Sequence, residues 1–439
     1  MTLNSCKILK LACSAALIFG VNISAATAQT NYNSSKLPDI ILNAYTHHPK
    51  LKSLQAGNLG ARETIIQARA ASRPQVSFTG GISAARRDAV LRSGSPFKQN
   101  SEPRELALTV DQTIFDGGRN RLLQENAALE FQISKARYEE AATAIAAEII
   151  EDYIELMSAI ADVDILGESV TTLEGLEKSV LVRREAGEST KTELALSVSR
   201  LASARAQRAT AIANLNLARD QLLSKTGYLV QTPELPVHAT VEVSFSKDEL
   251  TEMARVLNPA IRASKFTEQN TLVTLNSEKR KYLPTVSLTA QAQTAKDTSP
   301  TIDQDDSLSL GINFTVPLYS GGANSSKTRQ ALAERNAAKF NTMNVIRESD
   351  LIIHQLWSRL ESGKVSFEAQ AANVRANAEA LEGITRGEAV GLASTQDVLE
   401  AIQNRLSAEL TYSRAQYDLY TTRLLLKLYI GQFDVHTFD

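Results

Sequence analysis

The sequence of 439 residues predicts a mainly α fold with a smaller β portion, built from an internal two-fold repeat. The same series of motifs occurs twice. Each copy begins with a proline and continues with two runs of alternating apolar and polar residues joined by a polar loop. It ends with an aromatic residue, any residue and a Gly-Gly pair. A long proline-free stretch comes next, covering residues 104–232 in the first copy and 318–439 in the second. Gly117 recurs as Gly321, 204 positions later, and Pro74 recurs as Pro284, 210 positions later. Such an offset indicates duplication.

Residues 1–28 have the pattern of a secretory signal segment. Lys7 and Lys10 form a basic flank, an apolar run follows, and Ala26-Thr27-Ala28 is a small-residue cleavage site. Both cysteines, Cys6 and Cys13, lie inside this segment, so we expect the mature chain to contain no thiol. Disulfides, cysteine nucleophiles and thiolate metal sites are excluded together.

Composition excludes several classes of function. Without the signal segment the chain has 45 basic and 49 acidic residues, because the segment removes two lysines and no acid. This balance of −4 does not suggest a nucleic-acid partner, which requires clustered positive charge on the domain. Phosphate-loop, zinc-protease and nucleophile-elbow motifs are missing, so we expect neither an enzyme nor a cofactor. No apolar run after residue 28 approaches the ~20 residues of a membrane helix, so any membrane segment must be a strand.

The alternating runs predict two β-hairpins, at residues 75–115 and 285–316. In the second, Leu308, Leu310 and Ile312 alternate with small polar residues. A period of two indicates strands, and about ten residues per strand is the length of outer-membrane barrel strands. An ordinary antiparallel sheet on a soluble core is the alternative. Four strands cannot close into a barrel, so a membrane sheet would require several chains.

The proline-free stretches predict long helices at 119–185 and 323–388, with return helices at 192–225 and 396–430. Both turns contain a glycine followed by a capping hydroxyl, which is typical of a helix that reverses direction. Each return helix is about half as long as its partner, so a second short helix must continue it. The segments 39–72, with an expected break at His48-Pro49, and 248–281 fit that part. The chain is thus divided into repeats at 29–225 and 248–439, joined by an equatorial linker at 226–247.

The duplicated order, together with the segment from Ala389 to Ala401 (AVGLASTQDVLEA), resembles the TolC family of outer-membrane efflux and secretion ducts. The resemblance implies a homotrimer in which four strands per chain form a 12-stranded outer-membrane β-barrel, continued by a long periplasmic α-helical barrel. It also implies that the protein lies in the outer membrane of a Gram-negative bacterium, in contact with outer-membrane lipid. A periplasmic adaptor and an inner-membrane transporter are the implied partners.

The resemblance also assigns functional residues at the helical tips. Asp397 and Glu400, three residues apart on one helix face, correspond to acids that line the periplasmic aperture. The alternative is that they complement the helix dipole. Thr192 and Glu193 match gate contacts of the first tip, but their expected partners are replaced by Glu388 and Ala393. Glu193 facing Glu388 would repel, so other pairs, with Arg183 or Arg386 as candidates, must hold the closed state.

The remaining candidates are tip and junction residues. Val390, Gly391 and Leu392 match a motif that contacts adaptor hairpins, and the first tip keeps only Gly187; a turn with an apolar staple is the alternative. We assign a structural role to the strand–helix transitions, where positive φ and close backbone approach favour glycine: Pro74, Gly117, Gly118, Pro284, Gly321 and Gly322. The first hairpin loop is basic and the second acidic. These loops meet across the outer mouth, contact lipopolysaccharide, or are simply solvated.

The sequence therefore predicts an outer-membrane exit duct of a tripartite efflux pump or a type I secretion system, gated at its periplasmic tips. The alternative is an exported coiled-coil protein of structural or interaction function, whose strands form a soluble sheet.

Overall fold

The computed structural model describes residues 36–90, 92–299 and 302–431. The predicted signal segment 1–28, with both cysteines, lies outside the described residues, as does the C-terminal end of the second repeat. The fold is mainly α, as predicted. Its first half contains α1 (Leu37–His47), α2 (Pro49–Ala70), β1 (Gln75–Ile82), β2 (Ala85–Val90), β3 (Pro96–Ser101), β4 (Arg104–Phe115), α3 (Arg119–Glu185) and α4 (Lys191–Thr226).

After a linker that includes α5 (Val237–Thr240), the second half repeats this order without described counterparts of β2 and β3. Between α5 and α6 the described residues form no strand. Within the described ranges, no helix is both long enough and apolar enough to cross a membrane. The second half contains α6 (Lys247–Leu257), α7 (Pro259–Lys279), a 3₁₀ turn (Arg280–Tyr282), β5 (Thr285–Ser299), β6 (Ile302–Thr315), α8 (Ala323–Ala389) and α9 (Thr395–Tyr429).

Each short helical segment is divided by a proline. The break between α1 and α2 at His48-Pro49 agrees with the sequence prediction, but a second break at Asn258-Pro259 divides the helix predicted at 248–281. The residue before each proline is extended, with ψ of 125° at His48 and 119° at Asn258, because the proline ring disfavours helical geometry there. Asn258 then caps α7 by accepting a hydrogen bond from the Ala260 N–H at 2.9 Å.

The long strands form one antiparallel sheet in the order β1-β4-β5-β6. The registers Phe78↔Leu108 and Ala290↔Leu310 align the apolar positions on one face. That face is uncovered: Phe78 is 69% exposed and Leu310 is 74% exposed. The outermost strands, β1 and β6, each have one edge that no described strand pairs with. The sheet therefore presents an apolar face and two open edges.

The predicted polar loop of the first hairpin contains a second, two-stranded sheet of β2 and β3, which the sequence analysis missed. The two strands turn at Gly94, which has a φ of 85°. A glycine within a Ser-Gly-Ser segment between two strand-like runs is a hairpin signal. Its charged residues led us to interpret the segment as an irregular loop.

The strand-to-helix junctions depend on their glycines. Gly117 and Gly118 have φ of 70° and 79°, and Gly321 and Gly322 have φ of 61° and 84°. A Cβ added to Gly117 would lie 2.7 Å from Leu283 Cβ, whereas the second pair has nothing within 4 Å. Within the described part of one chain, therefore, only the first of the two junctions has another residue packed closely against its glycines. Asp116 stabilises that junction by accepting hydrogen bonds from the N–H groups of Gly118 and Asn120 at 2.9 and 2.6 Å.

The helices pack as two antiparallel pairs, α3 with α4 and α8 with α9, while α7 lies against both α3 and α8. The largest apolar cluster lies where α1, the middle of α3, and the ends of α4 and α9 meet the linker. Tyr153 is fully buried there, and its hydroxyl donates to the Glu234 carbonyl at 2.6 Å. A separate cluster near the tips joins α3, α4 and α9.

Two nearly buried cations of α9 hold the linker in place. Arg423 Nη1 donates to the Ala239 and Thr240 carbonyls at 3.3 and 3.4 Å, and Lys427 Nζ donates to the His238 carbonyl at 2.9 Å. Cations at the carbonyl end of α5 satisfy acceptors that the short helix cannot pair internally. Burial and the neighbouring Arg423 lower the pKa of Lys427.

We expect Arg423→Ala to lower the free energy of unfolding by about 1–3 kcal/mol, because buried carbonyls lose their donor. Limited chymotrypsin digestion in detergent should then cleave residues 226–247 faster, at Tyr228 or Phe245. Arg414→Ala is the matched control, since Arg414 is 69% exposed and lies 3.8 Å from Asp162. Equal cleavage of both variants would show that Arg423 does not hold the linker.

Candidate functional site at the helical tips

The first tip joins α3 to α4 through Gly187, which has a φ of 82°. The Glu188 N–H donates to the Arg183 carbonyl at 2.8 Å, and the Gly187 N–H donates to the Arg184 carbonyl at 3.0 Å. This is the Schellman pattern, which satisfies the last carbonyls of a helix and requires a left-handed residue. The turn therefore depends on glycine at position 187.

The second tip, between α8 and α9, has the same backbone hydrogen bonds. The Leu392 N–H donates to the Gly387 carbonyl at 2.8 Å, and the Gly391 N–H donates to the Glu388 carbonyl at 3.1 Å. Gly391 has a φ of 79°. The two tips thus share one backbone design and differ in the side chain that follows the glycine, which is Glu188 in the first and Leu392 in the second.

The apolar residues of the second tip are not used inside the chain. Val390 is 70% exposed and Leu392 is 86% exposed. A hydrophobic staple would bury the residue after the glycine against the last turn of the helix, and this exposure excludes a staple formed by Leu392. The tip consequently presents two apolar side chains to a partner or to solvent.

Both return helices begin with a capping box. Glu193 accepts hydrogen bonds from the Thr190 N–H at 2.8 Å and from the Ser189 hydroxyl at 2.7 Å. These donors lower the pKa of Glu193, and the charge of Arg183 contributes to the same shift. The carboxylate is therefore committed to capping α4, while Thr192 beside it is exposed.

Asp397 has the corresponding role in α9. Its carboxylate accepts from the Ser394 N–H and hydroxyl, both at 2.7 Å, and these hydrogen bonds lower its pKa. Asp397 and Glu400 are both exposed, while Val398 and Leu399 between them are buried. The two acids thus lie on the outward face of α9. Asp397 caps the start of α9, and its charge also remains accessible.

An ion pair connects the two tips. Arg183, in the last turn of α3, pairs with Glu388, in the last turn of α8. Thr395 completes the cluster: its hydroxyl donates to Glu388 Oε1 at 3.3 Å and lies 3.5 Å from Arg183 Nη2. The side chains of Arg183 and Glu388 are 28% and 13% exposed, and Thr395 is buried. We call these three residues the tip cluster.

The tip cluster contains Arg183, one of the two candidate residues for holding the closed state. Glu388 has its own cation within the chain, and Glu193 is committed to the α4 cap, so neither carboxylate is left to oppose the other. Arg386, the second candidate partner, pairs with Glu382 on its own exposed helix face. The sequence shows Arg183 in the last turn of one long helix and Glu388 in the last turn of the other. That pattern alone does not indicate that the two residues pair.

Three comparisons with known proteins agree. The family model for outer membrane efflux protein matches residues 40–228 and 250–432. Outer membrane efflux protein BepC of Brucella suis is 26% identical and the match covers 94% of this chain and 88% of that protein. Outer membrane protein TolC of Vibrio cholerae is 23% identical, covering 97% and 95%. The crystal structure of outer membrane protein VceC from Vibrio cholerae superposes with a TM-score of 0.79 at 18% identity, covering 90% of this chain and 96% of that chain.

Proposed function

Because the chain belongs to the outer membrane efflux protein family, we propose that it is the outer-membrane exit duct of a tripartite efflux pump or of a type I secretion system. In this proposal three copies contribute four strands each to one 12-stranded barrel. Their helices continue the pore into the periplasm, and the helical tips open and close it. No step of covalent chemistry is required.

The exposed apolar face of the sheet is the observation that carries this proposal. Leu308, Leu310 and Ile312 are 85%, 74% and 73% exposed on one strand. A contiguous apolar face of this kind marks contact with lipid or with another protein. The open edges of β1 and β6 would leave backbone groups unpaired in lipid at a cost of several kcal/mol each. Further copies that continue the sheet remove this cost.

The lengths of the helices support the same conclusion. α3 and α8 have 67 residues each, and at 1.5 Å per residue they reach about 100 Å. Rods of this length bury little of their surface within one chain, so neighbouring copies along their length would stabilise them.

The soluble-stalk alternative fits these observations less well. A stalk would need its sheet to pack on a core, yet the apolar face has no helix or strand against it among the described residues. Recovery of the protein in the detergent-soluble outer-membrane fraction, with discrete conductance steps in planar bilayers, would support the duct. Release by carbonate without conductance would support the stalk.

The tips supply the proposed contacts with other components. We assign Val390, Gly391 and Leu392 to docking of a periplasmic adaptor, which in turn connects to an inner-membrane transporter. The apolar pair Val390 and Leu392 is exposed and unused inside the chain. The first tip has Glu188 where the second has Leu392, so we propose that adaptor hairpins dock unequally at the two tips.

The tip cluster provides a means of holding the closed state. Arg183 joins the α3–α4 hairpin to the α8–α9 hairpin through Glu388 and Thr395. Movement of one hairpin away from the other would separate these groups. The gate contact in this chain is thus proposed to be Arg183 with Glu388, while Thr192 and Glu193 belong to the start of α4.

For Asp397 and Glu400 we expect Asp397→Asn with Glu400→Gln to reduce the cation selectivity of the open pore. In a trimer these residues would place six carboxylates around the periplasmic aperture. The asparagine amide oxygen can still accept the Ser394 hydrogen bonds, so the cap is retained while the charge is lost. Reversal potentials in a salt gradient measure the change.

Ser394→Ala is the matched control for that experiment, since it removes the capping hydroxyl and keeps both acids. We expect it to lower stability by about 1 kcal/mol without changing selectivity. Unchanged selectivity in the double variant would remove Asp397 and Glu400 from the aperture.

A further inference from the structure

Two surfaces of opposite charge lie at the end of the sheet that is remote from the long helices. The first is the hairpin of residues 85–101, which we call the basic ribbon. It contains four basic residues and one acid, a balance of +3: Arg86, Arg87, Arg92 and Lys98 against Asp88. The second is formed by the adjoining ends of β5 and β6, residues 294–299 and 302–306, which we call the acidic end. It contains four acids and one base, a balance of −3: Asp297, Asp303, Asp305 and Asp306 against Lys296.

These charges are exposed and only partly paired inside one chain. Arg86 is 69% exposed, and its partner Asp88, at 3.5 Å, lies on the same strand. None of the ion pairs among the described residues includes Arg87, Arg92 or Lys98. The base of the ribbon already contacts the acidic end, because the Glu102 N–H donates to the Asp297 carboxylate.

The sheet topology determines what lies on the other side of the ribbon. Within one chain, β4 pairs with β5, so one side of the ribbon faces the chain's own acidic end. The other side follows β1, which is an open edge. If β6 of one copy continues the sheet onto β1 of the next, the acidic end of the first copy lies beside the ribbon of the second.

The repeat gives the register of this junction. In the β4–β5 pair, Asp111 lies opposite Thr289. Adding the offset of 204 to position 111 gives Thr315, and subtracting 210 from position 289 gives Thr79. Thr315 of one copy should therefore lie opposite Thr79 of the partner subunit. Extending this antiparallel register places Asp305 level with position 89 of the neighbouring copy and Asp306 level with Asp88 of the partner subunit. Because successive side chains point to opposite faces, Asp305 shares a face with Arg87 of the partner subunit, and Asp306 shares a face with Arg86 of the partner subunit as well as with Asp88 of the partner subunit.

We propose that ion pairs between the basic ribbon of one copy and the acidic end of the next join the subunits around the outer mouth of the pore. This inference rests on the proposed shared barrel and adds a specific interface to it. The basic ribbon and the acidic end carry equal and opposite charges, and the strand register places them side by side in neighbouring copies. Both observations favour a second copy of the chain as the partner. Phosphate groups of outer-leaflet lipid would also attract the ribbon, so the test must separate the two.

Crosslinking provides the first test, because we expect the mature chain to have no cysteine of its own. A variant with Arg87→Cys and Asp305→Cys is treated with a short bismaleimide in outer membranes and analysed on a denaturing gel. The matched control carries Thr79→Cys and Thr315→Cys at the strand junction. We expect covalent dimers and trimers from both variants.

The outcomes distinguish the inference from the function on which it rests. Crosslinking of the control without crosslinking of the Arg87 and Asp305 variant would overturn the ribbon interface and leave the shared barrel intact. If neither variant links chains, the barrel assembly and this inference both fail.

Charge reversal provides the second test and separates protein from lipid. Arg86→Glu with Arg87→Glu should lower the temperature at which the detergent-purified assembly dissociates. Adding Asp305→Lys and Asp306→Lys should restore it, because the pairs form again with their signs exchanged. Restoration supports the ribbon interface. If the fourfold variant remains as unstable as the first, or if only added lipopolysaccharide changes the dissociation of the wild type, lipid is the partner and the proposal is wrong.

Discussion

Leu310→Arg is expected to destabilise the membrane-inserted protein by about 2–4 kcal/mol, since that is the cost of an arginine on the lipid face near the bilayer midplane. Leu310 lies within the long strand β6, pairs in register with Ala290, and is 74% exposed in the chain. Heat-modifiable mobility on gels and the yield of assembled protein in the outer membrane measure the loss.

Ser309→Arg is the matched control for this experiment. Ser309 is the preceding residue on the same strand and pairs with Gln291, so its side chain points to the opposite, polar face. In the proposed barrel that face lines the aqueous pore, where an arginine alters selectivity more than stability. Normal assembly of Leu310→Arg, or equal losses in both variants, would show that the lipid face is misassigned.

Arg183→Ala is expected to open the tips. Removing one partner of a buried ion pair costs 3–5 kcal/mol, and solvent screening reduces this for a pair that is 28% and 13% exposed, so we expect about 1–2 kcal/mol. A change of 1.4 kcal/mol is tenfold in an equilibrium constant. The closed state should therefore lose roughly tenfold in population relative to the open one, and single-channel recordings should show a larger open fraction.

Two controls make this result specific to the tip cluster. Arg386→Ala removes an exposed pair with Glu382 on one helix, and such pairs contribute about 0.3–0.5 kcal/mol, so gating should be nearly unchanged. Exchanging the charges, as Arg183→Glu with Glu388→Arg, should restore part of the closed population. An open fraction that is the same in wild type and Arg183→Ala would mean that the tip cluster does not hold the gate.

The long elements could be predicted because their limits depend on local chemistry. α3 begins directly after Gly118 and ends two residues before Gly187, and both positions carry the left-handed conformation that glycine favours. The strands could be predicted because their alternating faces have a period of two that no helix shares. These signals require no knowledge of which elements touch.

What could not be predicted depends on tertiary contact. Arg183 and Glu388 are 205 positions apart, and their pairing requires the relative position of two hairpins that no local pattern specifies. The same holds for Arg423, which lies in an apolar helix segment and gains its acceptors from the linker. The break at Asn258-Pro259 is different, because its proline was a local signal that the helical composition of 248–281 led us to overlook.

The mass of the purified protein in detergent tests most directly whether three copies share one pore. Native mass spectrometry of outer-membrane extracts should give a single species with three times the mass of the mature chain, and that species should form conductance steps when added to a planar bilayer. A folded, monodisperse single chain that remains soluble in water without detergent would contradict the shared pore.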